Sequence, residues 1–298
     1  MKKTIRVGTR GSDLAVAQSQ WVIAAIRNKF PDWEFELVPM KTTGDRILDQ
    51  RLDRIGGKRL FIKELEAALI DKSIDIAVHS MKDIPADLPG ELIIAAVSRR
   101  EDPRDALVTA DGRRLEQLAE NAVVGTGSMR REVQLLQMRP GLQVKNLRGN
   151  VLTRLNRLLN QEFDAVVLAM AGLKRLGLED KCAQCFAVSD IIPAVGQGAL
   201  CVETRKGEDV AYLRASVHDE ESALAISAER SYLIKLNGSC GIPIGAHAVI
   251  AGDRMTVYGM LALEDKSEVY RDSIAGNKQD AVALGEALAE RILKRRKK

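Results

Sequence analysis

Two rhythms of apolar and polar positions alternate along the first hundred residues. Thr4 to Gly8 reads as a strand. Leu14, Ala17, Trp21 and Ala25 then recur at three- and four-residue spacing, which predicts a helix over Leu14 to Lys29 with that stripe buried. Phe35 to Pro39 reads as a second strand, and Phe61, Leu65, Ala68 and Leu69 mark another amphipathic helix. Asp75 to His79 is apolar enough to be a strand covered on both faces, as in a parallel sheet. Strands alternating with helices predict an α/β domain.

A similar pass starts near residue 104. Val7-Gly8-Thr9-Arg10-Gly11-Ser12 opens the first helix, and Val124-Gly125-Thr126-Gly127-Ser128 opens another near Met129. Asp75-Ile-Ala-Val-His-Ser-Met81 is echoed by Asp164-Ala-Val-Val-Leu-Ala-Met170. The shared order of these short matches predicts a duplicated α/β unit. Ser98 to Arg104 is a polar break, and Pro193 to Gly198 is a second, where the chain is expected to return to the first domain. Beyond it the pattern changes. Ala246 to Ile250 and Met255 to Leu261 flank a hairpin turn, Glu268 to Ile274 supplies a third strand, and Ala281, Leu284, Leu288 and Ile292 line one face of a last helix. The expected domains are 1–98 with 198–217 (α/β), 104–193 (α/β) and 219–298 (a small α+β domain with an antiparallel three-stranded sheet).

Composition adds limits. With 298 residues, 46% hydrophobic and 29% charged, the chain is long enough for two or three cores. Only 4% is aromatic, so those cores are aliphatic and a base-stacking nucleic-acid surface is disfavoured. The five basic residues Lys294 to Lys298 account for more than the whole net charge of +4; such a tail reads as solvated charge rather than a nucleic-acid arm. The N-terminal Met-Lys-Lys-Thr-Ile-Arg has no apolar run behind its charges, and no stretch approaches a membrane span. Four cysteines in that context predict reduced thiols and a cytoplasmic location.

The candidate chemistry gathers at loops. Glycines between Gly8 and Leu14 let the backbone approach a ligand at a helix N-terminus, with Arg10 and Ser12 adding a cation and a hydroxyl. Thr126, Ser128, Arg130 and Arg131 repeat the arrangement. Adjacent arginines point about 100° apart on a helix, so both meet one ligand only if it wraps the helix end. The plain alternative makes Ser12 and Ser128 simple N-caps and leaves the arginines in solvent. An arginine replaces the third glycine of a dinucleotide fingerprint in Gly125-x-Gly127-x-x-Arg130. Lys58, Arg148 and Arg154 add cations at further predicted loop tips, a pattern suited to a ligand carrying several carboxylates or phosphates. Lys82 and Asp83 follow the third strand, where open α/β sheets bind ligands; Asp83 either stabilises a cation or caps a turn before Pro85. His79 is expected to satisfy a backbone group, and the three histidines have no metal-ligand spacing. Cys182-Ala-Gln-Cys185 lacks a second pair and the strand-to-helix setting of a redox motif. Cys240, between Gly238 and Pro243, is either an accessible nucleophile or an inert thiol.

Taken together these motifs resemble the porphobilinogen deaminase (hydroxymethylbilane synthase) family, from about Ile5 to the end. The specific stretches are Thr9-Arg-Gly-Ser12, Phe61-Ile-Lys-Glu-Leu-Glu66, His79-Ser-Met-Lys-Asp83, Arg100-Glu-Asp-Pro-Arg-Asp105, Leu147-Arg-Gly-Asn-Val151, Ala171-Gly-Leu-Lys-Arg-Leu-Gly177, Pro193-Ala-Val-Gly-Gln-Gly198, and Cys240 with Pro243-Ile-Gly245. The resemblance implies two α/β domains like type II periplasmic binding proteins, with a cleft between them, and a third domain carrying the cofactor cysteine. It implies a dipyrromethane cofactor held by Cys240 through a thioether, and a transferase that adds four porphobilinogen units in turn. Each unit loses ammonia, and hydrolysis releases hydroxymethylbilane for tetrapyrrole and haem biosynthesis. By the same resemblance Asp83 is catalytic, while Lys82, Asp83, Thr126, Ser128, Arg130, Arg131 and Arg148 bind the cofactor. Arg10, Ser12, Lys58, Arg148, Arg154 and Gln197 bind substrate carboxylates. No metal, nucleic acid or membrane partner is implied, and the molecule is expected to be a monomer. Arg54, Arg59, Ser239 and Gly241 depart from the usual pattern, which bears on loop geometry. The rival readings are a non-catalytic anion-binding protein of the same fold and a redox or metal protein built on Cys182 and Cys185.

Overall fold

A computed structural model describes residues 4–46, 61–237, 242–263 and 265–296. The chain begins with β1 (Thr4–Arg10), α1 (Asp13–Lys29), β2 (Glu34–Met40), α2 (Thr43–Arg46), α3 (Lys63–Ile70), β3 (Ile76–Ser80) and β4 (Leu92–Val97). It continues through β5 (Asp105–Val108), β6 (Val123–Gly125), α4 (Met129–Met138), β7 (Gln143–Lys145), α5 (Val151–Leu159), β8 (Ala165–Ala169), α6 (Met170–Arg175) and β9 (Gln184–Cys185). It ends with β10 (Leu200–Arg205), α7 (Ala211–Ser216), α8 (Glu220–Lys235), β11 (Ile244–Ala251), β12 (Arg254–Ala262), β13 (Val269–Asn277) and α9 (Ala281–Arg296).

The described residues group into two compact units, one holding 4–46, 61–101 and 199–223, the other 102–198 and those from 224 onward. The first unit contains a sheet of order β2-β1-β3-β10-β4. β1 runs parallel to β2 and β3, and β10 runs antiparallel to β3 and β4. The sheet is therefore mixed rather than parallel. β3 is still buried on both faces: Ile76 and Val78 join Val22, Ile23 and Ile26 of α1, whereas Ala77 joins Leu65, Ala68 and Leu69 of α3.

The buried face of α1 differs from the expected stripe. Trp21 is 47% exposed, and the helix buries Ala15, Gln18, Ser19, Val22, Ile23 and Ile26 instead. Two polar residues in the true stripe hid it from a count of apolar positions. Gln18 is placed there because its Nε2 donates to Ser80 Oγ at 2.9 Å.

The second unit contains a sheet of order β7-β6-β8-β5-β9. β6 is parallel to β7 and β8, and β5 is antiparallel to β8 and β9, which repeats the first pattern. Its glycines repeat too. A Cβ on Gly8 would lie 2.3 Å from Ile74 and 2.9 Å from Leu65; one on Gly125 would lie 2.8 Å from Leu147 and 2.9 Å from Phe163. Each glycine lets a side chain seal the sheet beneath the loop that follows.

The same unit carries the antiparallel sheet β11-β12-β13. Gly252, at φ +62°, makes the turn between β11 and β12. Ala281, Leu284, Leu288 and Ile292 of α9 pack with Tyr232 of α8 and Val257 of β12 in one cluster.

Candidate functional site

β1 and β3 are parallel neighbours, so their carboxyl ends emerge on one edge of the first sheet. After β1 the chain turns sharply, with Gly11 N donating to Met40 O at 3.1 Å. Ser12 caps α1, its Oγ accepting from Ala15 N at 3.3 Å. After β3, a single 3-10 turn over Met81–Asp83 presents Lys82 and Asp83. Arg10, Ser12, Gln18, Phe61, Lys82 and Asp83 thus line one hollow. The Arg10 guanidinium lies 4.2 Å from the centre of the Phe61 ring, a cation–π contact, and its Nη1 is 3.8 Å from Asp83 Oδ2. That separation is an ion pair but not a hydrogen bond. Asp83 keeps a side chain 33% exposed and able to accept donors from a ligand.

Beside this hollow His79 behaves differently from expectation. Its Nε2 lies 3.0 Å from Glu203 Oε2, and both side chains are buried. The partner is a carboxylate from β10, not a backbone group, because a buried acid on the neighbouring antiparallel strand needs a donor.

The second loop follows β6. Thr126 Oγ1 accepts from Ser128 N at 3.2 Å, and Ser128 Oγ accepts from Arg131 N at 3.5 Å as the cap of α4. Both serines are N-caps, yet the arginines that follow Ser128 are not in solvent. Arg130 Nη1 donates to Asp105 Oδ2 at 2.7 Å and to Ile192 O at 2.6 Å. Arg131 donates from Nε and Nη2 to Asp105 Oδ1, at 3.0 and 2.7 Å, and from Nη1 to Val167 O at 2.8 Å. The angular offset of adjacent helical residues is resolved by a carboxylate that takes one arginine on each oxygen. Gln197 Nε2 joins at 2.9 Å from Asp105 Oδ1 and 2.7 Å from Pro103 O. Burial by itself would raise the Asp105 carboxyl, but the two guanidiniums outweigh it and hold the group well below the usual carboxylate range. Burial pushes Arg130 down, with Asp105 opposing and Arg131 adding to the shift.

Arg148 sits between β7 and α5 and is buried, which lowers its guanidinium. Gly149, at φ +107°, turns the chain into α5; Asn150 Oδ1 caps that helix by accepting from Thr153 N at 2.8 Å. Arg154 Nε donates back to Gly149 O at 2.8 Å. Lys58 and Cys240 lie outside the described residues, as do Arg54, Arg59, Ser239 and Gly241.

Asp105 stands in the sequence only within a motif, and Phe61 within a motif and the expected amphipathic helix; Phe61 instead lies in the turn before α3 (Lys63–Ile70), where its ring meets Arg10. The available signal for Asp105 was an acid opening an apolar strand, Asp105-Ala-Leu-Val108, all of it buried. The Cys182–Cys185 pair has little thiolate character: burial raises both thiols, Cys185 to about 11. Among the described residues no cluster of three or more metal-ligating side chains occurs, and no helix is long and apolar enough to cross a membrane.

Comparison with known proteins agrees along nearly the full length. Residues 5–212 match the family model "Porphobilinogen deaminase, dipyromethane cofactor binding domain", and residues 223–294 match "Porphobilinogen deaminase, C-terminal domain". Porphobilinogen deaminase of Syntrophotalea carbinolica is 47% identical over 98% of this chain and 93% of its own. That of Brevibacillus brevis is 45% identical over 97% and 93%. Among solved structures, the periplasmic VFT2 domain of Bordetella pertussis BvgS aligns with a TM-score of 0.41 at 16% identity, over 75% of this chain and 92% of that one.

Proposed function

The chain belongs to the porphobilinogen deaminase family of tetrapyrrole biosynthesis, with its dipyrromethane cofactor domain, and from that premise we propose how its own residues divide the work. The observation that carries the reading is the hollow at the ends of β1 and β3, where Arg10, Ser12 and Lys82 surround the partly open carboxylate of Asp83. Porphobilinogen bears an acetate, a propionate and a pyrrole N–H. Cations and a hydroxyl suit the first two, and a carboxylate suits the third.

Asp83 is the catalytic group in this reading. Positive charge develops on the substrate as ammonia departs, and a fixed carboxylate stabilises it without reorganisation. Arg10, held over Phe61, keeps a cation beside Asp83 and receives a substrate carboxylate, with Ser12, Lys58 and Arg154 as further anion contacts. Lys82, Thr126, Ser128, Arg130 and Arg148 hold the carboxylates of the cofactor, Arg131 belongs to the same cofactor site through its pairing with Asp105, and Gln197 contacts substrate.

The residues described here fit such a group. Arg130 is 5% exposed and uses only Nη1 among the described residues, so the Nε and Nη2 edge remains to fork onto a carboxylate. Cys240 is the anchoring thiol in this proposal. The bound dipyrromethane supplies the nucleophilic terminal pyrrole to which successive units are joined. We further place the enzyme in the cytoplasm, which cell fractionation tests, and as a monomer, which light scattering of the purified protein tests.

Intact mass spectrometry with an ammonia-release assay tests the whole. The purified protein should exceed its polypeptide mass by two linked pyrroles, Cys240→Ala should lack that increment, and sustained ammonia release from porphobilinogen should occur with wild type and not with Cys240→Ala. Active protein of bare polypeptide mass would refute the reading.

A further inference from the structure

The three charged side chains of the buried cluster do not balance. Asp105 contributes one negative charge, Arg130 and Arg131 two positive ones, and all three are almost wholly shielded from solvent. An excess cation in such a place is unfavourable unless an anion completes it. The two guanidiniums also differ in what they leave over. Arg131 uses Nε and Nη2 on Asp105 and Nη1 on Val167 O, so its forked edge is already occupied. Arg130 uses Nη1 alone, and its Nε and Nη2 donate to nothing among the described residues.

We propose that Asp105 is a positioning residue: it locks Arg131 as a structural partner and orients Arg130 so that the unsatisfied edge and the surplus charge meet a carboxylate of the bound pyrrole chain. The inference rests on the reading above, that this site takes such a ligand, and adds which arginine does so and what aims it. Asp105 acts through Arg130 and touches no reacting atom. Gln197, donating to the same Oδ1 as Arg131, and Pro103 O, accepting from Gln197, fix the carboxylate from the other side.

The register of the two sheets shows that this carboxylate is a local addition. Asp105 pairs with Ala169, the last residue of β8; in the first sheet Leu200 pairs with Ser80, the last residue of β3. An apolar residue therefore occupies the equivalent place in the first unit. The acid is not something the sheet itself requires.

The test compares wild type, Asp105→Asn and Asp105→Asn/Arg131→Gln, each made in cells starved of porphobilinogen. Melting curves and circular dichroism report folding, and the time course of mass gain on adding porphobilinogen reports cofactor loading. The double variant carries the same net charge as the native cluster with no like-charged pair, so it keeps the question open to measurement if the single variant is unstable. The expected result is a folded protein that loads at least tenfold more slowly than wild type, whereas Arg131→Gln alone slows loading less than Arg130→Gln. Wild-type loading by a folded variant lacking the carboxylate would overturn the proposal. So would failure of both Asp105 variants to fold, which would make the residue purely structural. Absence of any mass gain in wild type would instead refute the cofactor reading on which this one stands.

Discussion

The loop after β1 leaves Arg10 in a hollow, 3.8 Å from a partly exposed carboxylate, whereas the loop after β6 turns Arg130 and Arg131 inward onto a carboxylate without solvent contact. The backbones that present them are alike. Both strands carry near the carboxyl end a glycine that a side chain underlies, both loops enter a helix capped by serine, and both sheets place an antiparallel strand beside the third strand in order. Two differences set them apart: the antiparallel strand contributes Leu200 in one unit and Asp105 in the other, and the second and third positions after the capping serine hold Leu14 and Ala15 in one helix and Arg130 and Arg131 in the other. A duplicated scaffold thus yields one site with adjustable charges and one with charges locked in place: the arginine of the first precedes the capping serine, those of the second follow it, and an acid stands where the first sheet has Leu200.

The largest expected effect falls on the open site. Asp83→Ala should lower turnover by at least three powers of ten, about 4 kcal/mol in the transition state. Its melting temperature should stay within roughly 2 °C, since an exposed pair contributes only about 0–1 kcal/mol. Single-turnover ammonia release with parallel calorimetry checks both halves; a large loss of stability would make the two loops equivalent.

Arg131→Met should show the opposite signature. Removing one partner of a buried pair costs about 3–5 kcal/mol, which corresponds to a fall of roughly 10 °C in the melting temperature. Arg10→Met, by contrast, should impair turnover with little change in melting. Scanning calorimetry of the two variants side by side decides whether the inward and outward arginines differ in kind.

The glycines sharpen the shared part of the comparison. Gly8→Ala and Gly125→Ala should each cost about 1–3 kcal/mol, because a Cβ would meet Ile74 at 2.3 Å in one case and Leu147 at 2.8 Å in the other. Urea unfolding that found only one of them sensitive would weaken the claim that the loops share a design.

A smaller effect concerns acid. Asp105 has a depressed carboxyl in the folded state, so its contribution is complete above about pH 4 and is lost as pH falls through the folded value. Arg131→Met removes one of the cations responsible and should move the acid-unfolding midpoint to higher pH by roughly one unit. An unmoved midpoint would show that Arg131 does not set the carboxyl. Smallest of all, Cys182→Ser with Cys185→Ser should leave turnover within about twofold of wild type, as thiols raised by burial have little thiolate to offer near neutrality.

Much of the architecture was legible in order and spacing. The repeated Gly-Thr loops announced two similar units. The turn at Ala251 to Arg254 announced the hairpin, and Ala281, Leu284, Leu288 and Ile292 marked the inner face of α9. Failures came where burial contradicts polarity. The stripe of α1 runs through Gln18 and Ser19, which a hydrophobic count passes over in favour of Trp21. Arg130 and Arg131 read as solvated or ligand-facing because their partner lies on a strand 25 and 26 residues away.

The amino-acid order alone determined the family, the succession of strands and helices, and which residue types stand at the loop tips, because these follow from local spacing and motif order. Only the tertiary structure decided which of those charges face a ligand and which face one another. That choice depends on the field and desolvation created by neighbours brought in from distant strands, and no local pattern of Arg130-Arg131 contains the carboxylate of Asp105.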